Sequence, residues 1–582
     1  MSRRPRTQSR TARPSSPPLP RPDRTGRVRW TAHVRPWHVA LALGLVHLAL
    51  VLLSILQQPH DGGDNASYLA LARSLAGDGT YRELWDPAAR PHTQYPPGWP
   101  LMLAAALRMG IGPWVGFKVM AALFSAAAVA LSYLWARRVS TPGTALGVGV
   151  VLAVGTGVVD AGRWELSDPP FWAFTMLGLL AFARMRTDVP VDGAGLPSAT
   201  ADRPRWKTLL GPLAVASLAT LLAYATRSAG LPLLVAAGAW LAWRRRWRAL
   251  AVFVVTVGAF AVPWWVRSQA AGGVSYTAYL WYKNPYHPAS GTVGPGGILT
   301  RIVANTVEYT TEQLPYLLTG VRLGFPAAAL GMGVVGLALA GWGMRMRRPG
   351  VPELWLPLYV GLVLVWPAAW ATERFLLPAL PMLLLCAAEP VRLLAARSGR
   401  AVWVGAAAAG VIALSAMPRL ARQVDRAAEC RAAYAPDDQF RCMKEEWADF
   451  MELSRSLNGT LPADAAVLSR KPTLFWAYSG YPSRTYPFKA DPDTLLAAAR
   501  EAGARYVLLD YMDQVSLMYL APVIMQRPQA FCVMTGVGPG RATLMGIQPG
   551  AERMPNVRDR PGNVAATLPF PGCRPEFWAP VR

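Results

Sequence analysis

The chain of 582 residues is 53% hydrophobic, only 16% charged and holds 23 Trp, which excludes both an ordinary soluble globular protein and a disordered one. Its formal charge of +25, from 59 Lys plus Arg against 34 acids, fits either nucleic acid or loops beside anionic lipid. The bases lie between long apolar runs, as the positive-inside rule requires, so a polytopic membrane protein is expected and nucleic acid is not an expected partner.

Residues 1–36 carry ten Arg, one acid (Asp23) and a Pro/Ser-rich stretch, and read as a disordered cytoplasmic tail that cannot bury a core. Residues 37–56 form the first span, inside to outside, with no small-residue cleavage site after it. A polar loop at 57–113 follows; its apolar stretch 99–109 is too short to cross and is expected at the interface. Further spans are read at 114–136, 144–160, 170–183, 209–225, 231–243, 249–266, 325–344, 352–370, 375–389 and 401–417, about eleven in all. Arg184 and Arg186, Arg244 to Arg248, Arg345 to Arg348 and Arg392 to Arg400 then mark inward ends, and the odd count puts the C-terminus outside.

The fold class is therefore mostly α: a helix bundle at 37–418 with large outer loops at 57–113 and 267–324. An extracytoplasmic α/β domain is expected at 419–582, with strands starting near Ala465, Arg505 and Ala542 and a helix at 495–502. Four of the five cysteines (Cys430, Cys442, Cys532, Cys573) follow the last span, where an oxidising compartment would pair them. Three pairings are open; Cys430 with Cys442 and Cys532 with Cys573 needs the least rearrangement.

The outer loops concentrate the polar chemistry: Asp61, Asp64, Tyr68, Arg73, His92 and Tyr95 in the first, Lys283, Tyr286, His287 and Arg301 in the second. Asp64 opens a helical pattern that puts Tyr68, Leu71, Ala72 and Leu75 on one face and stops at Gly77, so the helix can lie on the membrane. Two readings of Asp64 stay open, a helix N-cap or a general base for an acceptor hydroxyl. Tyr95 stands before the paired prolines of HTQYPPGWP, which aim the chain into the interfacial segment. In RWELSDPPFW, Glu165 and Asp168 sit at an outer span end; Asp168 before two prolines is again either a cap or a partner facing Asp64. Arg227 and Arg374 occupy two outer hairpins against the charge bias, and two forked guanidiniums suit a phosphate, although snorkelling towards headgroups gives the same placement. One acid without His or Cys partners is weak evidence for a metal.

In order, GDNASYLALARSLAGDG, YPPG, the outer SD, TRSAGLPLL, PWW and ERFLLPALP resemble the polytopic lipid-carrier-dependent glycosyltransferases of the GT-C class, the protein O-mannosyltransferases and the aminoarabinose transferases of lipid A. The resemblance implies transfer, with inversion, of a sugar from a polyprenyl-phosphate carrier to an acceptor hydroxyl of protein, lipid or glycan at the outer face of a bacterial cytoplasmic membrane. Asp64 matches the catalytic acid, Arg227 and Arg374 the phosphate ligands, and neither cofactor nor metal is implied. Tyr95, Glu165, Asp168, Lys283, His92 and His287 are left as candidate substrate contacts. Two positions depart from the pattern: Asn65 stands where a second acid is common, and Tyr95 where the aminoarabinose enzymes carry Lys. Rival readings are a metal-dependent oligosaccharyl transferase, a transporter of lipid-linked sugar with two symmetric halves, and an envelope assembly protein anchored by its bundle.

Overall fold

The computed structural model describes residues 35–185, 206–272, 279–397, 401–435, 438–538, 540–557 and 570–578. Of the tail expected at 1–36, residues 1–34 lie outside the described residues, as do Arg186 and Arg400, and Pro36 already opens the first helix. The chain is mostly helical, with one small sheet.

Among the described residues, five helices are long and apolar enough to cross a membrane: Pro36–Leu53, Val115–Val139, Thr208–Thr226, Trp247–Ala270 and Phe325–Arg345. A sixth crossing results if Pro142–Val154 and Thr156–Gly162, bent by 60° at Gly155, count as one. Against the eleven expected, five or six among the described residues have the length and apolarity of a span. The other expected spans fall on Asp168–Met185, Leu231–Trp243, Val351–Val365, Leu380–Arg397 and Ala401–Ala432. Leu231–Trp243 and Val351–Val365 have only 13 and 15 residues, roughly 20 and 23 Å at 1.5 Å per residue against a hydrocarbon core of about 30 Å. Asp168–Met185 opens on an acid and carries Arg184 in its last turn. The stretch expected as helix from residue 375 is instead a 3-10 turn at Glu373–Leu376, and the helix starts at Leu380. Pro378 has no amide to donate to the carbonyl of residue 374, so an α-helix cannot begin earlier without losing that bond.

The helix expected to lie on the membrane is Asp64–Gly77, and it is not at a surface. Asn65 to Ala72 are all buried, with Tyr68, Leu69 and Ala72 packed on Trp99, Leu103 and Phe117 on one side. Ala66 joins a different cluster, with Leu474, Phe475 and Phe450 from the C-terminal part. A helix apolar on both sides must be covered on both. The interfacial stretch is the helix Gly98–Arg108, with Leu101 and Met109 exposed. Its first residue must be glycine: a Cβ on Gly98 would stand 2.6 Å from the carbonyl oxygen of Ala225 and 3.0 Å from the amide of Thr226. The YPPG junction is thereby pressed onto the helix end that precedes Arg227. At the far end of Asp168–Met185, Arg246 donates to the carbonyl of Met185 at 3.0 Å, so that helix runs between Asp168 and the arginine turn at 244–246.

The sheet has the order β2-β1-β3-β5-β4, with β1 Val467–Leu468, β2 Ser483–Arg484, β3 Tyr506–Asp510, β4 Phe531–Val537 and β5 Ala542–Ile547. β1 pairs in parallel with β2 and β3, whereas β3–β5 and β4–β5 are antiparallel. Alternation along β3 decides its two faces. Tyr506 and Leu508 pack with Phe450, Leu453 and Phe475 under the helices Glu445–Ser456 and Pro472–Ser479. Val507 packs with Leu495, Leu496 and Val523 under Pro492–Glu501 and Ala521–Gln526. The three expected strands and one expected helix are present; β2 has two residues and β4 is interrupted by a register shift between Val533 and Thr535, and neither carries a readable alternation. Cys430–Cys442 and Cys532–Cys573 are disulfides, the pairing of least rearrangement, while Cys386 is free and buried.

This part leans on the first loop. Ser483 N–H donates to the Trp85 carbonyl at 2.6 Å, and Arg484 pairs with Asp86 at 3.1 Å. Substituting Gly98→Ala should cost about 1–3 kcal/mol of stability by overpacking, whereas Gly77→Ala, with nothing within 4 Å of the new Cβ, should not destabilise; thermal unfolding of both in detergent checks this.

Candidate active site

The site starts from one backbone turn. Gly63 has φ +94°, the left-handed region, and acts as N-cap without a side-chain cap. Asp64 is therefore the first residue inside its helix, and among the described residues its carboxylate bonds no backbone amide. The capping reading is overturned. One oxygen, Oδ1, accepts from the Tyr95 hydroxyl at 3.0 Å, and Oδ2 accepts from Arg374 Nη2 at 2.9 Å.

Arg374 also faces Asp168, Nη1 to Oδ2 at 3.5 Å, a contact in which neither atom has a hydrogen-bond partner among the described residues. Asp168 Oδ1 pairs with Arg227 Nη1 at 2.8 Å, and the same Nη1 donates to the Ser167 hydroxyl at 3.1 Å. The Ser167 hydroxyl in turn meets the Tyr68 hydroxyl at 2.9 Å. Both guanidiniums lie over the Phe375 ring, at 5.4 and 5.5 Å from its centroid. Two carboxylates and two guanidiniums thus alternate along one chain of contacts, Asp64, Arg374, Asp168, Arg227. Asp168 is nearly buried, but the Asp64 side chain keeps 31% of its exposure and both arginines 20%, so the row is reachable from outside the protein.

Burial alone would raise the Asp64 carboxyl, but the neighbouring Arg374 guanidinium, the bonds from Arg374 and Tyr95, and Arg227 outweigh it and hold the group below the usual carboxylate range. It is ionised at neutral pH and, with Arg374 attached, weakly basic.

The remaining sequence candidates separate. His92 accepts the Tyr95 amide on Nε2 at 2.9 Å and sits 2.9 Å from Glu83 through Nδ1, so it orients Tyr95 without touching Asp64. Glu165 is not in the row: fully buried, it accepts from Asn65 at 2.7 Å and from the His60 amide at 2.9 Å, and lies 3.8 Å from Lys118. Asn65, at the position where the resembling enzymes have a second acid, is thus spent on fixing Glu165. Lys283 is exposed, and His287 meets the Tyr519 hydroxyl at 2.7 Å; neither shows a contact with the row. Sequence reasoning missed Ser167, although it lies inside the SD motif, and Lys118, buried in an apolar helix start with only its charge as a signal. Among the described residues no group of three or more His, Cys, Asp or Glu side chains converges as a metal site would require.

No protein-family model matches the chain, and no curated protein matches its sequence. Solved structures do share its fold. ArnT from Cupriavidus metallidurans, determined with undecaprenyl phosphate bound, superposes with a TM-score of 0.51 at 15% identity over 88% of this chain and 98% of its own. The Archaeoglobus fulgidus oligosaccharyltransferase does so at 0.51 and 13% identity, over 90% of this chain and 76% of its own; as AglB in complex with an inhibitory peptide and a dolichol-phosphate, it gives 0.50 at 13% identity. Both are GT-C glycosyltransferases, so the resemblance expected from the motifs is shown at the level of the fold.

A double-mutant cycle tests the row. Asp64→Asn and Arg374→Gln should each destabilise by about 1–2 kcal/mol, less than a fully buried broken pair because both groups retain exposure, with a coupling of roughly 1 kcal/mol between them. Since the folded Asp64 titrates below its unfolded value, the coupling should be fully present at pH 5–7 and disappear only as pH falls below about 4.

Proposed function

We propose that the chain is a membrane glycosyltransferase that moves a sugar from a polyprenyl-phosphate carrier to an acceptor hydroxyl, with inversion, at the outer face of a bacterial cytoplasmic membrane. The observation that carries the reading is the row itself: one partly exposed carboxylate held between a phenol and a guanidinium, with a second guanidinium one carboxylate further on. A shared fold with proteins solved with undecaprenyl phosphate and dolichol-phosphate supports it.

In this reading the acceptor oxygen attacks the anomeric carbon as the bond from that carbon to the phosphate oxygen breaks, and the electron pair leaves on the phosphate. A single displacement inverts the centre. Asp64 takes the hydroxyl proton, while Arg374 and Arg227 neutralise charge developing on the leaving phosphate. The two roles are coupled through Arg374. A phosphate that draws this guanidinium away removes the contact that depresses Asp64, so the carboxylate becomes a better base once the donor is seated. Tyr95, oriented by His92, keeps Asp64 aimed, and Asp168 holds the two arginines together. No metal or cofactor is part of the scheme. Residues 37–418 would be the transferring bundle, 419–582 an extracytoplasmic domain beside the site, and residues 1–36 a cytoplasmic tail. The acceptor is a hydroxyl of protein, lipid or glycan.

The test is transfer of labelled sugar from a panel of polyprenyl-phosphate sugars to membrane extract. Wild type should transfer, and Asp64→Asn at equal folded amount should lose about 10²- to 10⁴-fold in rate, with activity unchanged by chelation. Equal rates for the two proteins would remove Asp64 as the base; loss on chelation, restored by a divalent ion, would favour a metal-dependent oligosaccharyl transferase; no transfer by either would return the transporter and assembly readings.

A further inference from the structure

The row is neutral before any donor arrives: Asp64 and Asp168 balance Arg374 and Arg227. An incoming phosphate brings at least one more negative charge into a partly desolvated place, and the two guanidiniums cannot offset it without abandoning their carboxylates. A further cation is needed. The neighbouring pairs supply none, since Lys118 faces Glu165 and Arg322 pairs with Glu373 at 3.0 Å. His60 is held below its usual range by burial and by Arg374, so it is neutral at pH 7.

Among the described residues, Lys471 near Asp64 has no carboxylate within 4.0 Å; Arg267 has none either, but its two Nη atoms are taken up by the carbonyls of His92 and Tyr81. Lys471 lies between β1 and the helix Pro472–Ser479, about 400 residues along the chain from the Asp64 turn. Its ammonium donates to the Gly62 carbonyl at 2.9 Å and lies 5.4 Å from the Trp447 ring centroid. Thr473, two residues on, donates to the Gly63 carbonyl at 3.1 Å, so this segment grips both residues that precede Asp64. The acids around Lys471 are occupied or turned outward: Asp64 is on Arg374, Asp513 pairs with Arg470 at 2.8 Å, and Asp61 is 56% exposed beside His60. Arg470 cannot take the same role, because its guanidinium is tied to Asp513 and lies over the rings of Tyr286 and Phe488.

We propose that Lys471 binds the carrier phosphate and provides the net positive charge of the donor site, so that the C-terminal sheet is one wall of that site and not a cover over it. The inference rests on the lipid-phosphate reading and adds a residue that lies outside the motifs. The ammonium has three N–H donors and gives one to Gly62, leaving two for phosphate oxygens. Burial and Arg470 bring it down to about 8, so it is mostly protonated at neutral pH, and its half-buried side chain leaves the ammonium open to an incoming anion.

The experiment measures equilibrium binding of farnesyl phosphate and of uncharged farnesol to the full chain in lipid nanodiscs, for wild type, Lys471→Gln and Lys471→Arg. Gln keeps a donor for the Gly62 carbonyl while removing the charge, and farnesol binding reports on an intact lipid site. Wild type should prefer the phosphate over the alcohol, Lys471→Gln should lose about tenfold to a hundredfold of that preference with farnesol binding unchanged, and Lys471→Arg should restore most of it. An unaltered preference in Lys471→Gln, or no recovery in Lys471→Arg, overturns the role of Lys471 and leaves the lipid-phosphate reading in place. No preference for phosphate in the wild type overturns the lipid-phosphate reading itself.

Discussion

Charge that leaves water has to be compensated where it stands, and the structure around the candidate site follows from that constraint. Asp168 is nearly buried and has Arg227 on one oxygen and Arg374 beside the other. Removing any one of the four charges would strand a neighbour in a place of low dielectric. Four segments therefore have to meet: the helix after Gly63, the start of Asp168–Met185, the turn at Arg227 and the 3-10 turn at Glu373–Leu376. Asp64 and Arg374 are 310 residues apart in the chain, and only a bundle with a fixed arrangement of helix ends can bring them together.

The devices that hold these ends are mostly not charges. Gly98 lets the YPPG junction touch the backbone that leads into Arg227, and Tyr95 then reaches Asp64 with its amide held by His92. Pro378 delays the following helix, so Arg374 sits in a short turn at the mouth of the bundle and not inside a span. The helix after Gly63 is buried between a bundle-side cluster and a sheet-side cluster, which makes the orientation of Asp64 depend on both halves of the chain. In this arrangement, Lys471 and Thr473 bond directly to the two glycines on which that orientation turns.

A neutral row also fits reversible binding of an anion. A site with a large excess of positive charge would hold a phosphate product as strongly as the donor, whereas a neutral row with a single further ammonium beside it offsets little more than the charge that a phosphate brings. The depressed Asp64 carboxyl belongs to the same balance, because the guanidinium that stabilises its charge is the one the phosphate would claim.

The apolar runs, the arginines at their ends, three of the five strands and the identities of Asp64, Tyr95, Asp168, Arg227 and Arg374 were legible in the sequence, whereas the pairing of the four cysteines was open among three arrangements. Each of the legible features follows from local composition or from periodicity, which are properties of neighbouring residues. Whether Asp64 caps its helix or points at Arg374 was not legible, because both readings use the same residue type and only the left-handed Gly63 moves the carboxylate one position into the helix. The two-sided burial of Asn65 to Ala72 is not legible for a similar reason: Ala66 is covered by residues near 450 and 475, which no local pattern can announce. Glu165 was separated from Asp168, His287 from the first loop, and Lys471 joined to it, by hydrogen bonds spanning from 100 to 409 residues. The sequence by itself determined which segments are apolar and which side chains could carry charge into them. Tertiary structure alone decided which charges pair, because pairing depends on distances of a few ångströms between helix ends whose positions the whole bundle sets.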